Sequence, residues 1–210
     1  MNKSSLQNCP LYVIVDRSAI AGRDPVAVAE AAIRGGADVI QWRDKQAPDL
    51  EFLAVARALR ELTRRRPTVF VVNDRAAVAM LVQADGLHLG HEDLPVQEAR
   101  SLVGPKILIG RSTHSLQEAQ EAQAAGADYI GVGPVFATPT KPDYPVVGLE
   151  LIRQVKPVIR IPWVAIGGID LQSLPLVLSA GATRVAVVRA VAGASDVEGA
   201  ARAFKEKIMP

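Results

Sequence analysis

The chain has 210 residues, 49% of them hydrophobic and 22% charged, so it can bury a sizeable core and is not globally disordered. Lys plus Arg is 24 and Asp plus Glu is 22, a formal charge of +2 that offers no field for a polyanion, and aromatics at 4% exclude a stacking surface for nucleic acid. The single cysteine, Cys9, rules out an internal disulfide or a zinc-finger set.

In chain order, the polar stretch over residues 1–10 reads as a frayed or disordered tail, with residues 11–210 as one domain. No apolar leader follows Met1, and no apolar run approaches the ~18 residues of a membrane span, so a soluble cytoplasmic protein with no nucleic-acid or membrane partner is expected. Strand-like runs then alternate with helical stretches. They are LYVIV from Leu11, VIQW from Val39, TVFVV from Thr68, GLHLG from Gly86, ILIG from Ile107, YIGVG from Tyr129, WVAIG from Trp163 and RVAVV from Arg184. Most lack strict polar alternation, as strands covered on both faces do. The clearest helix starts at Asp49, with Leu50, Leu53, Ala56, Leu59 and Leu62 expected on one buried face. Strand–helix units repeated to the end of the chain predict an α/β fold, a single (β/α)8 TIM barrel. Gly36-Ala37-Asp38, Ala84-Asp85-Gly86, Gly126-Ala127-Asp128 and Gly181-Ala182-Thr183 each close a helix and open a strand, spaced to fit two units apiece. Glycine suits the left-handed position at a helix end, so these motifs are structural.

Barrels keep their chemistry at the strand C-termini. Gln41, Arg43 and Lys45 alternate there and share one face, which reads as an anion or ligand site, with a structural ion-pair layer as the alternative. Asp74 and Asp93 follow the third and fourth strands; two carboxylates beside a basic cluster suit Mg2+ completed by waters and ligand phosphates. The alternative for Asp74 is a cap on the following helix. His88 and His91 read as packing or surface residues. Gly167-Gly168 follows the seventh strand, where backbone N–H groups often hold phosphate. Residues 137–148 form the longest loop, punctuated by prolines and expected to order around a ligand. This face suits an enzyme that joins a diphosphate to a monophosphate substrate.

The motifs QWRDK, VVNDR, ADGLHLGHED, IGRSTHS, GPVFATPTK and AIGGI, spread from Leu11 to about Ala192, resemble the thiamine-phosphate synthase family. The resemblance implies a transferase of thiamine biosynthesis that joins hydroxymethylpyrimidine diphosphate to thiazole phosphate and releases diphosphate. It implies Mg2+ at Asp74 and Asp93, and catalytic roles for Arg43, Lys45, Ser112 and Lys141. Pyrimidine diphosphate contacts are implied at Gln41, Trp42, Arg43, Asp44, Lys45, Asn73, Ser112 and Lys141. Thiazole phosphate contacts are implied at Thr138, Pro139, Thr140, Gly168, Val188 and Arg189. The implied mechanism is dissociative and needs no strong general base. A small residue such as Ser is expected where Arg189 stands, so contact there is by backbone or by a new guanidinium. IGRSTHS is also similar to the thiazole tautomerase branch of the fold, with His114 as its proton-transfer candidate. A non-catalytic thiazole phosphate-binding barrel is a third reading, and a homodimer is left open.

Overall fold

The computed structural model describes residues 6–139 and 145–209 and alternates strand with helix throughout. The strands are β1 (Leu11–Asp16), β2 (Val39–Arg43), β3 (Val69–Asn73), β4 (Gly86–Leu89), β5 (Leu108–Thr113), β6 (Tyr129–Val132), β7 (Trp163–Ile166) and β8 (Val185–Val187). All neighbours pair in parallel, and β8 closes onto β1. Around them run α1 (Pro25–Arg34), α2 (Asp49–Arg64), α3 (Ala76–Leu81), α4 (Val96–Val103), α5 (Leu116–Ala124), α6 (Gly148–Val158), α7 (Leu174–Ser179) and α8 (Val197–Ile208). The expected (β/α)8 barrel is therefore present. Every strand begins within one residue of its sequence-based start, and β5 runs on to Thr113. None of the described helices is long and apolar enough to cross a membrane.

Closure divides each strand by parity. Tyr12, Ile14, Val39, Val69, Val71, Leu108, Tyr129, Val164 and Ala186 point inward and pack on one another. Their neighbours, among them Val13, Val15, Ile40, Trp42, Phe70 and Val72, point outward under the helices. The interior is crowded enough to need bare backbone: a Cβ on Gly110 would lie 2.1 Å from Cζ of Tyr129.

The recurring Asp of the repeat has a physical role. Asp38 Oδ2 accepts the Leu11 N–H at 2.9 Å, Asp85 Oδ2 the Phe70 N–H at 2.9 Å and Asp128 Oδ2 the Ile109 N–H at 2.7 Å. Lys205, Arg60 and Arg100 respectively neutralise the three carboxylates. Each of these three carboxylates thus satisfies the first or second amide of the strand before it, at the N-terminal end of the barrel.

Two expectations are corrected. Residues 6–10 are not frayed: Leu6 is 1% exposed and seals the interior cluster from below, and Arg184 donates to the Leu6 and Gln7 carbonyls. A polar composition concealed one apolar plug. On α2, the buried residues are Phe52, Ala56, Leu59 and Thr63, while Leu50 is 80% exposed. A series in steps of three drifts by about 60° per step around a helix, so Leu50 and Leu62 do not share a face. Leu6→Ala should therefore lower stability by about 2–5 kcal/mol. Leu50→Ala should change it by less than ~0.5 kcal/mol. Urea midpoints compare the two, and equal midpoints would contradict the plug.

Candidate active site

The C-terminal ends of the strands surround a cavity of about 380 Å³. Its lining includes Gln41, Arg43, Lys45, Asn73, Asp74, Ser112, Thr138, Pro139, Gly168, Val188 and Arg189, all named from sequence. Gln41 and Arg43 reach it by parity on β2, and Lys45 follows in the loop. Thr140 and Lys141 lie outside the described residues.

Trp42 and Asp44 do not line the cavity. Trp42 stands between Gln41 and Arg43 on β2 and so points outward, fully buried, with its ring 5.5 Å from Phe52 and the Arg17 guanidinium 5.3 Å from its centroid. Asp44 turns its carboxylate into its own loop, accepting the Gln46 and Ala47 N–H groups at 3.0 Å and Arg17 Nε at 3.1 Å. Those bonds hold its carboxyl below the usual range despite burial, and they organise the β2–α2 turn.

The basic residues at the mouth have carboxylate partners. Arg43 pairs with buried Asp16, whose other oxygen accepts Ser18 Oγ at 2.6 Å and the Ser18 N–H at 2.9 Å. Lys45 pairs with Asp74. The ion pairs expected as one alternative are present, and the same side chains line the cavity. Asp74 has a left-handed backbone, φ 61°, and donates its N–H to the His88 carbonyl at 2.9 Å. It does not cap α3, which has no side-chain cap.

Asp93 meets Asp74 side chain to side chain, and its Oδ2 accepts the Gly90 N–H at 2.6 Å. Burial, and then the Asp93 carboxylate, push Asp74 up, against the pull of Lys45. For Asp93, burial is outweighed by the bonds from Asp74 and Gly90 and by the charges of Lys45 and Arg111, so its carboxyl lies below the usual range. Adjacent carboxylates with conflicting ionisation suit a divalent cation. No group of three or more His, Cys, Asp or Glu able to hold a metal occurs among the described residues. A cation here would thus take hard oxygens from two side chains and complete its shell with water or ligand oxygens, as Mg2+ does.

Another part of the wall, after β7 and β8, brings backbone to the cavity beside Asp170 and Arg189. Gly167 and Gly168 have φ of 104° and 62°, and a Cβ on Gly168 would lie 2.5 Å from the Ala137 carbonyl oxygen. Glycine is needed both for that turn and for the close approach of the β6 loop. Beside it the chain turns at Val188, whose carbonyl accepts the Val191 and Ala192 N–H groups.

Sequence reasoning missed one lining histidine, His88, and named another, His114, through resemblance. His88 bonds Ser112 Oγ through Nε2 at 3.0 Å and the Tyr129 hydroxyl through Nδ1 at 3.1 Å. His114, placed only by resemblance, donates Nδ1–H to the Gly133 carbonyl. Strand parity would have found His88, which stands two residues after inward-facing Gly86.

Residues 11–191 match the family model for thiamine monophosphate synthase. The thiamine-phosphate synthase of Synechococcus sp. (strain CC9311) is 50% identical over 179 residues, 85% of this chain and 51% of that protein. That of Syntrophomonas wolfei is 44% identical over 197 residues, covering 93% of this chain and 94% of its own length. The chain therefore spans about half the length of some curated relatives and nearly all of others. Among solved structures, thiamine phosphate pyrophosphorylase from Pyrococcus furiosus has a TM-score of 0.87 at 40% identity, covering 100% of this chain and 98% of its own. A 3-hexulose-6-phosphate synthase, 18% identical with a TM-score of 0.68 over 94% of this chain and 98% of its own, shares the fold alone.

The carboxylate pair can be tested without turnover. In Asp93→Asn, Asp74 loses a like-charged neighbour, so its titration midpoint, followed by carboxyl carbon NMR, should fall. Adding Mg2+ to the unmodified protein should lower the same midpoint, because a cation favours the charged form. A midpoint that moves in neither case would contradict the pair.

Proposed function

The chain belongs to the thiamine monophosphate synthase family, and on that premise we propose that it joins hydroxymethylpyrimidine diphosphate to thiazole phosphate with release of diphosphate. One observation carries this reading: the Lys45–Asp74–Asp93 cluster and the backbone wall at Gly168 and Val188 meet at one barrel mouth, with Lys45, Asp74, Gly168 and Val188 lining one cavity. The first suits a diphosphate with its cation, the second a monophosphate.

Asp74 and Asp93 are the residues that would hold Mg2+, which when bound supplies charge neutralisation to a diphosphate leaving group. Lys45 and Arg43 direct positive charge into the cavity where the departing diphosphate gathers negative charge. Each releases part of its hold on a carboxylate as the anion arrives. Lys141 joins them by resemblance. Gln41 and Asn73 orient the pyrimidine ring, a proximity role. The bond from the pyrimidine methylene carbon to the diphosphate oxygen breaks, its electron pair leaves with the diphosphate, and the thiazole nitrogen donates a pair to the resulting cation. No residue has to remove a proton from carbon. Thr138, Pro139, Thr140, Gly168, Val188 and Arg189 receive the thiazole phosphate.

His114 favours a second reading, thiazole tautomerisation, because it lines the same cavity with Nε2 as its basic nitrogen. Incubation with both substrates and Mg2+, followed by mass spectrometry for thiamine phosphate, separates the two. As a synthase, Lys45→Ala should lose about ten- to a hundredfold in rate, as for one charged hydrogen bond of about 1.5–3 kcal/mol, with His114→Ala milder. A dead His114 variant beside a healthy Lys45 variant would establish the tautomerase instead. An Asp74→Ala, Asp93→Ala double variant should keep its melting temperature and lose most turnover; full activity would remove the metal assignment.

A further inference from the structure

Beneath the cavity, five polar side chains cross the barrel interior in a row. Gln41 Nε2 donates to the Tyr12 hydroxyl at 2.8 Å, and the Tyr12 and Tyr129 hydroxyls are 3.1 Å apart. The Tyr129 hydroxyl reaches His88 Nδ1 at 3.1 Å, and His88 Nε2 reaches Ser112 Oγ at 3.0 Å. Gln41, His88 and Ser112 line the cavity, and the two tyrosines are fully buried below it. The row runs through β2, β1, β6, β4 and β5, so only the closed barrel assembles it. Space for it is built in, since a Cβ on Gly110 would lie 2.5 Å from the Tyr129 hydroxyl oxygen.

The donors in this row are not interchangeable. An amide nitrogen only donates, so the Tyr12 oxygen accepts from Gln41, and the acceptor the row leaves for the Tyr12 proton is the Tyr129 oxygen. Tyr129 then donates to His88 Nδ1. His88 is left with its proton on Nε2, which it donates to Ser112 Oγ. Burial raises both phenols above their ordinary range, so both keep their protons at neutral pH.

We propose that Tyr12, Tyr129 and His88 are positioning residues forming a polarised hydrogen-bond relay, which turns the Gln41 carbonyl oxygen and the Ser112 hydroxyl proton toward the cavity. One end of the relay offers an acceptor and the other a donor. A heteroaromatic substrate with an amino group on one side and an anionic oxygen on the other fits in one orientation and is rejected in the reverse. The substrate side of this inference rests on the synthase reading; the polarity of the relay does not.

The decisive measurement is the imidazole nitrogen NMR spectrum of the unliganded protein labelled at histidine, with the His88 signal assigned by its loss in His88→Gln. The relay requires the Nε2–H tautomer; an Nδ1–H tautomer means the reverse polarity and overturns the proposal. Tyr129→Phe keeps the ring but removes the proton donor to Nδ1, so the single tautomer should give way to a mixture. In turnover, His88→Leu should lower kcat by about ten- to a hundredfold, as for a displaced substrate-orienting group. His88→Gln, whose amide again offers an acceptor to Tyr129 and a donor to Ser112, should recover most of that loss. Equal rates for the Leu and Gln variants would overturn the positioning role. Absence of thiamine phosphate formation by the unmodified protein would sink the synthase reading, and the tautomer would still decide the relay.

Discussion

Barrel closure is the constraint on which everything else here depends. Once β8 pairs with β1, every second side chain of each strand is confined to the barrel interior, and its height along the strand decides what it must be. At the lower end the confined residues are apolar, Val39, Val69 and Leu108, sealed by Leu6. In the middle they include the fully buried Tyr12 and Tyr129 and the cavity-lining Gln41, polar groups that hydrogen-bond to one another. An unmade bond there carries a full desolvation penalty, so the middle layer is as constrained as the apolar one. At the upper end Arg43, Asn73 and Ser112 line the cavity, with buried Asp16 paired to Arg43.

The upper layer keeps its charges in pairs. Arg43 rests on Asp16 and Lys45 on Asp74, with Asp93 pressed against Asp74 from the other side. Neither pair adds much net stability: desolvation offsets the attraction in the buried Arg43–Asp16 pair, and solvent screens the half-exposed Lys45. What the pairs do is fix Arg43 and Lys45 at the cavity lining, where the proposed function needs positive charge. The wall at Gly168 and Val188 brings backbone to the cavity, with Arg189 beside it. On the proposed reading, these two parts of the mouth would receive the two phosphorylated substrates.

Much of this was legible in the sequence because barrel strands are short, apolar and evenly spaced. The strand starts and the placement of Gln41, Arg43, Asp74, Ser112 and Gly168 at the mouth follow from that pattern and from resemblance. What escaped depends on parity and long-range contact. Trp42 and Asp44 belong to the same motif as Arg43, yet one points outward and the other folds into its own turn. His88 passes for a packing residue until its neighbours across β5 and β6 are known. Leu6 is one apolar residue in a polar tail, and nothing local shows that a barrel end waits for it.

The central claim is that one end of this barrel handles a diphosphate and a monophosphate side by side. A crystal structure of the protein with Mg2+, diphosphate and thiazole phosphate tests it most directly. The account predicts diphosphate against Lys45 and Arg43, with the cation on Asp74 and Asp93, and the monophosphate against the backbone at Gly168 and Val188. Both anions bound elsewhere, with this cavity holding only water, would contradict it.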